Sequence, residues 1–397
     1  MDKLINKCRR LLALVNTDVV RELMQQINWD QRLISIRGAR GVGKTTLMLQ
    51  YLKLNGCDCK RSLYISMDSV YFATHTLLEF VERFYQLGGK QLLIDEVHKY
   101  PSWSREIKEI YDSYPDLRVV VSGSSLLNIL NADADLSRRC IPYEMQGLSY
   151  REYLWMVKGI HLPAITLKEL LSDPNGFCDN INSQCRPLAY FKEYLQEGYY
   201  PFILEGKMEY HLRIENVVNF ILDVELPQSC GVEIGNIRKM KSLLAVLASK
   251  VPMQVDMTKI AAAAGVSRNT LLAYMQYLSR ARLLNLLYAG DDSVKKMQKP
   301  DKIYLENPNL IETLALDEPN IGTVRETFLV GQLCYQHKVE YTKTGDLLVD
   351  QFYTIEIGGK SKDGKQIASL EDAYIASDDI EYAAGNKIPL WAFGFLY

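Results

Sequence analysis

The sequence predicts an α/β protein of several parts: a parallel sheet built on a phosphate-binding loop, a helical lid region, a winged helix-turn-helix and a smaller C-terminal α/β domain. Three observations predict it. A glycine-rich loop ending in Lys-Thr follows a short apolar run and opens a helical segment after residue 43. Apolar runs then alternate with helical segments as far as residue 146, and a strongly basic helical stretch occupies 237–300. The length of 397 residues exceeds what one core supports, and 48% hydrophobic with 24% charged residues is ordinary for a globular chain.

The loop comes first. Residues 32–37 read RLISIR, and GARGVGKTTLMLQYL follows. Gly38, Gly43, Lys44 and Thr45 fill the pattern G-x-x-x-x-G-K-[ST] between a strand signal and a helical one, which is the context the pattern requires. Glycines let the backbone wrap phosphates, with N–H groups from Gly41 to Thr45 facing inward at a helix N-terminus. The expected nucleotide loop is therefore Gly38, Ala39, Arg40, Gly41, Val42, Gly43, Lys44, Thr45 and Thr46. Lys44 would neutralise the β- and γ-phosphates, and the Thr45 hydroxyl would ligate Mg²⁺.

A second apolar run, QLLIDEVH at 91–98, ends in two adjacent acids. Asp95 is placed to hold Mg²⁺ through water and Glu96 to orient and deprotonate the attacking water, with His98 as a neighbour that tunes Glu96. A third run, LRVVVSGSS at 117–125, carries Ser122 and Ser124, where a polar group can sense the γ-phosphate; a serine-rich turn without function is the alternative. No [NT]-K-x-D guanine-reading motif occurs, which favours ATP. With 62–67 and about 141–146, these runs make five strand candidates separated by helices, and so a parallel sheet covered on both faces.

Residues 148–230 are tyrosine-rich and helical in pattern, expected to form a lid running into a linker, with LSDPNGFCDN at 171–180 as a loop. From 238 to 290 the pattern is helix, short helix closed by Gly265, then a third helix opened by Ser267 as N-cap, with strands following as a wing. Leu271, Leu272, Met275, Leu278 and Leu283 give that third helix its apolar face; Arg268, Asn269 and Thr270 would face a DNA groove. Between 237 and 300 eleven Lys/Arg stand against three acids, 11 − 3 = +8, in a chain of net charge −2. That local excess is the footprint of a double-stranded DNA contact, whereas the chain as a whole is too acidic for a nonspecific coat. A protein-protein adaptor is the competing reading of a winged helix.

Eight scattered cysteines, of which only Cys57 and Cys59 are close in sequence and without a nearby histidine, argue against zinc and disulfides. The five apolar residues of LLALV are too few for a secretion signal, and no run approaches a membrane span, so a cytoplasmic protein with no membrane association is expected.

Together these motifs resemble prokaryotic AAA+ type P-loop ATPases that join a winged helix to a C-terminal restriction-endonuclease-like domain. The resemblance rests on GARGVGKTT, LLIDEVHKYPSWSREIKEIYD, VVVSGSS, DLSRR followed by GLSYREYL, and in the C-terminal half on GDLLVD, IEIGGKSK and IPLWAFGFLY. It implies ATP hydrolysis and a homo-oligomer. It also implies that an arginine of DLSRR, Arg138 or Arg139, reaches the γ-phosphate of a neighbouring subunit; a surface pair at a helix C-terminus is the alternative. Beyond residue 320 the expected order is helix, three short strands, a helix at about 366–375, and a strand over IPLWAFGFL. In a nuclease-like core Glu326, Asp346 and Glu356 would hold a second metal ion. The lysine expected two places after Glu356 is Gly358, and the nearest lysine is Lys360, which points to a lost or repurposed nuclease.

The expected domains are 1–147 (P-loop ATPase), 148–235 (helical lid and linker), 236–300 (winged helix) and 301–397 (nuclease-like). The expected function is Mg²⁺-dependent ATP hydrolysis coupled to DNA through the winged helix. The alternatives are an ATP-switched signalling or scaffold protein with a protein partner, and an ATP-dependent nuclease.

Overall fold

Runs of four to six residues rich in Leu, Ile and Val are too short for stable helices, and where they are apolar throughout they make strands buried on both faces. In the computed structural model these are β1 (Leu33–Arg37), β2 (Ser62–Ser66), β3 (Gln91–Asp95) and β4 (Arg118–Gly123), joined at the sheet edge by the more exposed β5 (Ile141–Glu144). Residues 1–123, 136, 138–249, 256–290 and 299–397 are described, without the side chains of 229 and 234. They divide into two units, Met1–Gly147 and Leu148–Tyr397.

The first unit is a parallel sheet of order β2-β3-β4-β1-β5. Its covering helices include α1 (Asp2–Leu14), α2 (Lys44–Leu54), α3 (Leu77–Gln86) and α4 (Trp103–Ser113). Helix α3 starts at a capping box in which Thr76 and Glu79 satisfy each other's backbone N–H. Because β4 is inserted between β1 and β3, the C-terminal ends of these three strands lie side by side: Ile36 is paired with Ser122 and Ile94 with Val121. The loops that leave such strand ends are where an open α/β sheet places its ligand.

Helix α1 also brings Cys8 to within 3.8 Å of Cys59, whose sulfur is 3.9 Å from that of Cys57, a proximity the linear spacing does not reveal. All three are free thiols, and burial pushes Cys8 up to about 12. Among the described residues no group of three or more His, Cys, Asp or Glu is arranged to hold a metal ion.

The second unit begins with helices α5 (Tyr150–Lys158), α6 (Leu167–Ser172), α7 (Pro174–Gln184), α8 (Pro187–Glu197) and α9 (Tyr210–Phe220). The stretch 171–180, expected as a loop, is the junction of α6 and α7. Asp173 caps α7 by accepting from the N–H of Gly176, and Pro174 takes the first helical position, where a missing N–H costs nothing. Three helices follow, α10 (Ile234–Ser249), α11 (Met257–Ala264) and α12 (Arg268–Arg280), then an antiparallel pair, β6 (Leu284–Leu287) and β7 (Lys302–Leu305). Helices α13 (Pro308–Leu314) and α14 (Ile321–Leu333) lead into a mixed sheet of order β12-β11-β10-β9-β8.

That sheet comprises β8 (Val339–Tyr341), β9 (Leu347–Val349), β10 (Tyr353–Gly358), β11 (Ala373–Ser377) and β12 (Lys387–Pro389). The helix expected at 366–375 is absent: turns run to β11, whose Ala373 and Ile375 are buried between β10 and β12. Pairing on both edges overrides the helical propensity of an alanine-containing segment. The strand expected over 388–396 is only its first two residues, and Leu390–Phe395 coils into a 3₁₀ turn with every side chain buried. Burial on all sides, without alternation, suits a coiled turn better than a strand with one wet face.

Candidate functional site

The loop Gly38–Gly43 leaves β1 and ends at the N-terminus of α2, and its glycines are conformational requirements. Gly41 and Gly43 have φ of 85° and 100°, a region that side chains disfavour. Gly38 has φ 153°, and a Cβ there would stand 2.1 Å from the Met145 carbonyl oxygen. Ala39 and Val42 are buried, whereas Gly41 and Thr46 are exposed. Arg21, 7% exposed, braces the loop from behind by donating to the carbonyls of Val42, Gln146 and Gly147 at 3.1, 2.9 and 2.9 Å. The Lys44 ammonium turns back onto its own loop, at 2.9 Å from Gly38 O and 2.7 Å from Ala39 O.

At the end of β3, Asp95 is 2% exposed yet fully satisfied. Its Oδ2 accepts from the Thr45 hydroxyl at 2.6 Å and from the Tyr64 hydroxyl at 2.7 Å. Its Oδ1 accepts from the backbone N–H of Glu96 at 3.0 Å and from the Ser122 hydroxyl. A buried carboxylate is tolerable when hydrogen-bonded this thoroughly. The strand order explains the meeting, since Tyr64 lies on β2 and Ser122 on β4, the two neighbours of β3. Burial and the adjacent Asp95 charge push the Tyr64 phenol far above its ordinary value, so it stays a donor. Ser124 lies outside the described residues.

Glu96 has φ 55° and ψ 41°, left-handed geometry unusual for a non-glycine residue, which turns its carboxylate out of the strand direction. Its Oε2 is 3.3 Å from Nε2 of His98. Burial, reinforced by the positive charges of Lys99, Lys44 and Arg40, pushes His98 down to about 4. At neutral pH this is therefore a neutral imidazole, and the contact is not an ion pair. Arg139 is held by Asp112 of its own chain through two bonds of 3.0 Å, and Arg138 is exposed.

Thr45, Asp95 and Ser122 are hard oxygen donors gathered at the mouth of a phosphate-type loop. Mg²⁺ at such sites takes one or two protein oxygens and completes its shell with phosphates and water, so this set fits it.

Residues 30–154 match a family described as an AAA domain. This stretch therefore carries an AAA-type domain. Residues 188–320 match a second family, described as a domain of unknown function, DUF8612. An uncharacterized protein of Methanocaldococcus jannaschii, MJ1637, is 26% identical over 402 residues, covering 91% of this chain and 83% of that one. Among solved structures, the Walker-type ATPase PABY2304 of Pyrococcus abyssi is similar at 12% identity, over 77% of this chain and 99% of that one, with a TM-score of 0.45. The Holliday junction branch migration motor RuvB of Thermotoga maritima is similar at 14% identity, over 71% and 89%, with a TM-score of 0.29.

The sequence singles out neither Tyr64 nor Arg21 in this ATPase domain. Both act through space on residues far along the chain, and no local pattern marks them. No helix among the described residues is long and apolar enough to cross a membrane.

In the second unit, Ser267 caps α12 by accepting from the N–H of Thr270, with Arg268 and Asn269 exposed at that helix start. Arg238 and Arg280 are exposed as well. Lys241, Lys259 and Arg282 are engaged locally with Asp223, Asp256 and Glu306. Lys250, Lys295 and Lys296 lie outside the described residues. Of the C-terminal acids, Glu326 and Asp346 share one lysine, Lys302, and Glu356 pairs with another, Lys362.

Proposed function

We propose that the protein hydrolyses ATP with Mg²⁺ in its AAA-type domain and couples that turnover to DNA held on the α10–α12 module, read as a winged helix. The observation that carries the first part is the juxtaposition of Thr45 with Asp95 beside a left-handed Glu96 at the mouth of the P-loop. Lys44 exchanges two loop carbonyls for phosphate oxygens when ATP enters, so its charge is already in place and dry. Glu96 is the base that orients and deprotonates water, and the neutral His98 fixes its orientation. Thr45 and Asp95 would hold Mg²⁺, which would supply neutralisation of phosphate charge. Ser122, bonded to Asp95, would report on the γ-phosphate. Arg138, exposed and unlike Arg139 not engaged by Asp112, is the better candidate to act across a homo-oligomer interface.

The DNA part rests on the basic excess and on exposed Arg268 and Asn269 at a helix start, which is where a recognition helix meets base edges. A protein-adaptor role is favoured by one observation: three of the module's cations are paired with local acids. Steady-state ATP hydrolysis by wild type and Lys44→Ala, with and without duplex DNA at low and moderate salt, tests both parts. Turnover should vanish in Lys44→Ala, and DNA should raise the wild-type rate in a way that salt removes. Unchanged turnover in the variant defeats the site assignment; a DNA-indifferent wild type moves the second unit to a protein partner.

A further inference from the structure

The resemblance of the C-terminal sequence motifs to a nuclease core implies a divalent cation among Glu326, Asp346 and Glu356, and the geometry of these residues disagrees. The ammonium of Lys302 lies 3.0 Å from Glu326 Oε2 and 3.4 Å from Asp346 Oδ1, between the two carboxylates that a metal would bridge. Two aromatic rings flank it. The Tyr304 and Tyr341 rings stand 5.9 and 5.8 Å from the ammonium, and the Lys302 side chain is 11% exposed. Each of these two acids accepts one further bond: Tyr304 OH donates to Glu326 Oε2 at 2.7 Å, and the Ile357 N–H to Asp346 Oδ2 at 2.8 Å.

The third acid is taken by a different lysine. Glu356 is 1% exposed, and its Oε1 lies 2.8 Å from the Lys362 ammonium, while Oε2 is buried without a hydrogen-bond partner. Lys362 reaches it across the space that a side chain at 358 would fill: a Cβ on Gly358 would stand 2.8 Å from the Lys362 Cβ and Cγ. The lysine missing from position 358 is thus replaced in space from four positions along the chain.

We propose that Lys302 is a tethered cation that occupies the place of the divalent ion, so that this domain binds no catalytic metal and the acids instead clasp the β6–β7 hairpin to the C-terminal sheet. Lys302 is on β7, Glu326 on α14 and Asp346 just before β9, so one ammonium joins three elements. The neighbouring backbone bond from Tyr341 N–H on β8 to the Tyr288 carbonyl, just after β6, closes the same junction at 3.0 Å. Three carboxylates facing two ammonium groups leave little negative charge to attract a hard dication, and the tether makes the ammonium a local competitor that cannot diffuse away. An open groove of about 450 Å³ leads to Glu356 and Lys362.

Mn²⁺ titration of the full chain without nucleotide, followed by electron paramagnetic resonance of the free ion, tests this. Wild type, Glu356→Gln and Asp346→Asn should bind Mn²⁺ alike, any contribution of the P-loop being common to all. Lys302→Met should gain one additional bound ion, and the double variant Lys302→Met/Asp346→Asn should lose it again. Loss of a bound Mn²⁺ on going from wild type to Glu356→Gln or Asp346→Asn overturns the proposal, as does a folded Lys302→Met that gains none. Should Lys302→Met fail to fold, the wild-type comparison with Glu356→Gln decides alone, because that pair needs no change at Lys302.

Discussion

Glu96 pays for its orientation in backbone energy: a left-handed φ of 55° costs a non-glycine residue on the order of 1–2 kcal/mol. Strain of this kind at a strand end beside a nucleotide loop is maintained only because neighbours over-determine it, here the N–H of Glu96 on Asp95 and the His98 ring on its carboxylate. Glu96→Gln should therefore leave ATP binding intact while turnover falls by at least about a hundredfold, the scale of general-base loss; an equilibrium binding assay beside a turnover assay separates the two. His98 makes a second, pH-linked prediction. Its value is about 4 in the folded chain against 6.5 ordinarily. As pH falls below 6.5 the unfolded chain takes up the proton first, so the stability this residue contributes is complete above 6.5 and drains away as pH falls towards about 4. His98→Gln should flatten that part of the acid limb in denaturant titrations; an unchanged slope would assign the limb to other groups.

The elements differ in how openly the sequence announces them. Four of the first unit's five strands are largely apolar, buried runs, β5 being the exposed exception, and the reading from 32–37, 62–67, 91–95, 117–122 and 141–146 lies within two residues of the observed strand ends. Buried parallel strands leave no ambiguity of face, so composition alone suffices. Asp173-Pro174 is legible too, but as two things at once: turn residues in a loop, or N-cap and first residue of a helix. The burial of Cys178 and Ile181, one turn apart on the inner face of α7, decides for helix, and burial is a property of the fold rather than of the dipeptide. Segment 366–375 fails for the opposite reason, because its strand exists only by pairing with β10 and β12. The candidate site divides in the same way. Lys44, Thr45, Asp95 and Glu96 are named by contiguous motifs. Tyr64, Arg21, Lys302 and Lys362 reach their partners through the fold, and nothing in their own neighbourhoods marks them.

At the scale of the molecule, two units with separate sheets should not melt as one. A nucleotide that binds the native P-loop raises the stability of the unit that holds it, by about 2.7 kcal/mol at a hundred times its dissociation constant. Calorimetry should thus resolve two transitions, of which an unhydrolysable ATP analogue with Mg²⁺ moves only the one belonging to residues 1–147; a single transition that shifts as a whole would mean the units unfold together. The strand order of that unit has a bearing on its birth as well as its stability. β1, from which the phosphate loop springs, pairs with β4 and β5, which begin at Arg118 and Ile141. On the ribosome, where roughly 5–20 residues emerge each second, both edges of β1 wait for most of the unit to be synthesised. A nascent chain therefore carries its nucleotide-binding signature long before it can bind nucleotide, and ATP can act as a ligand that stabilises the completed sheet but never as a template that starts it.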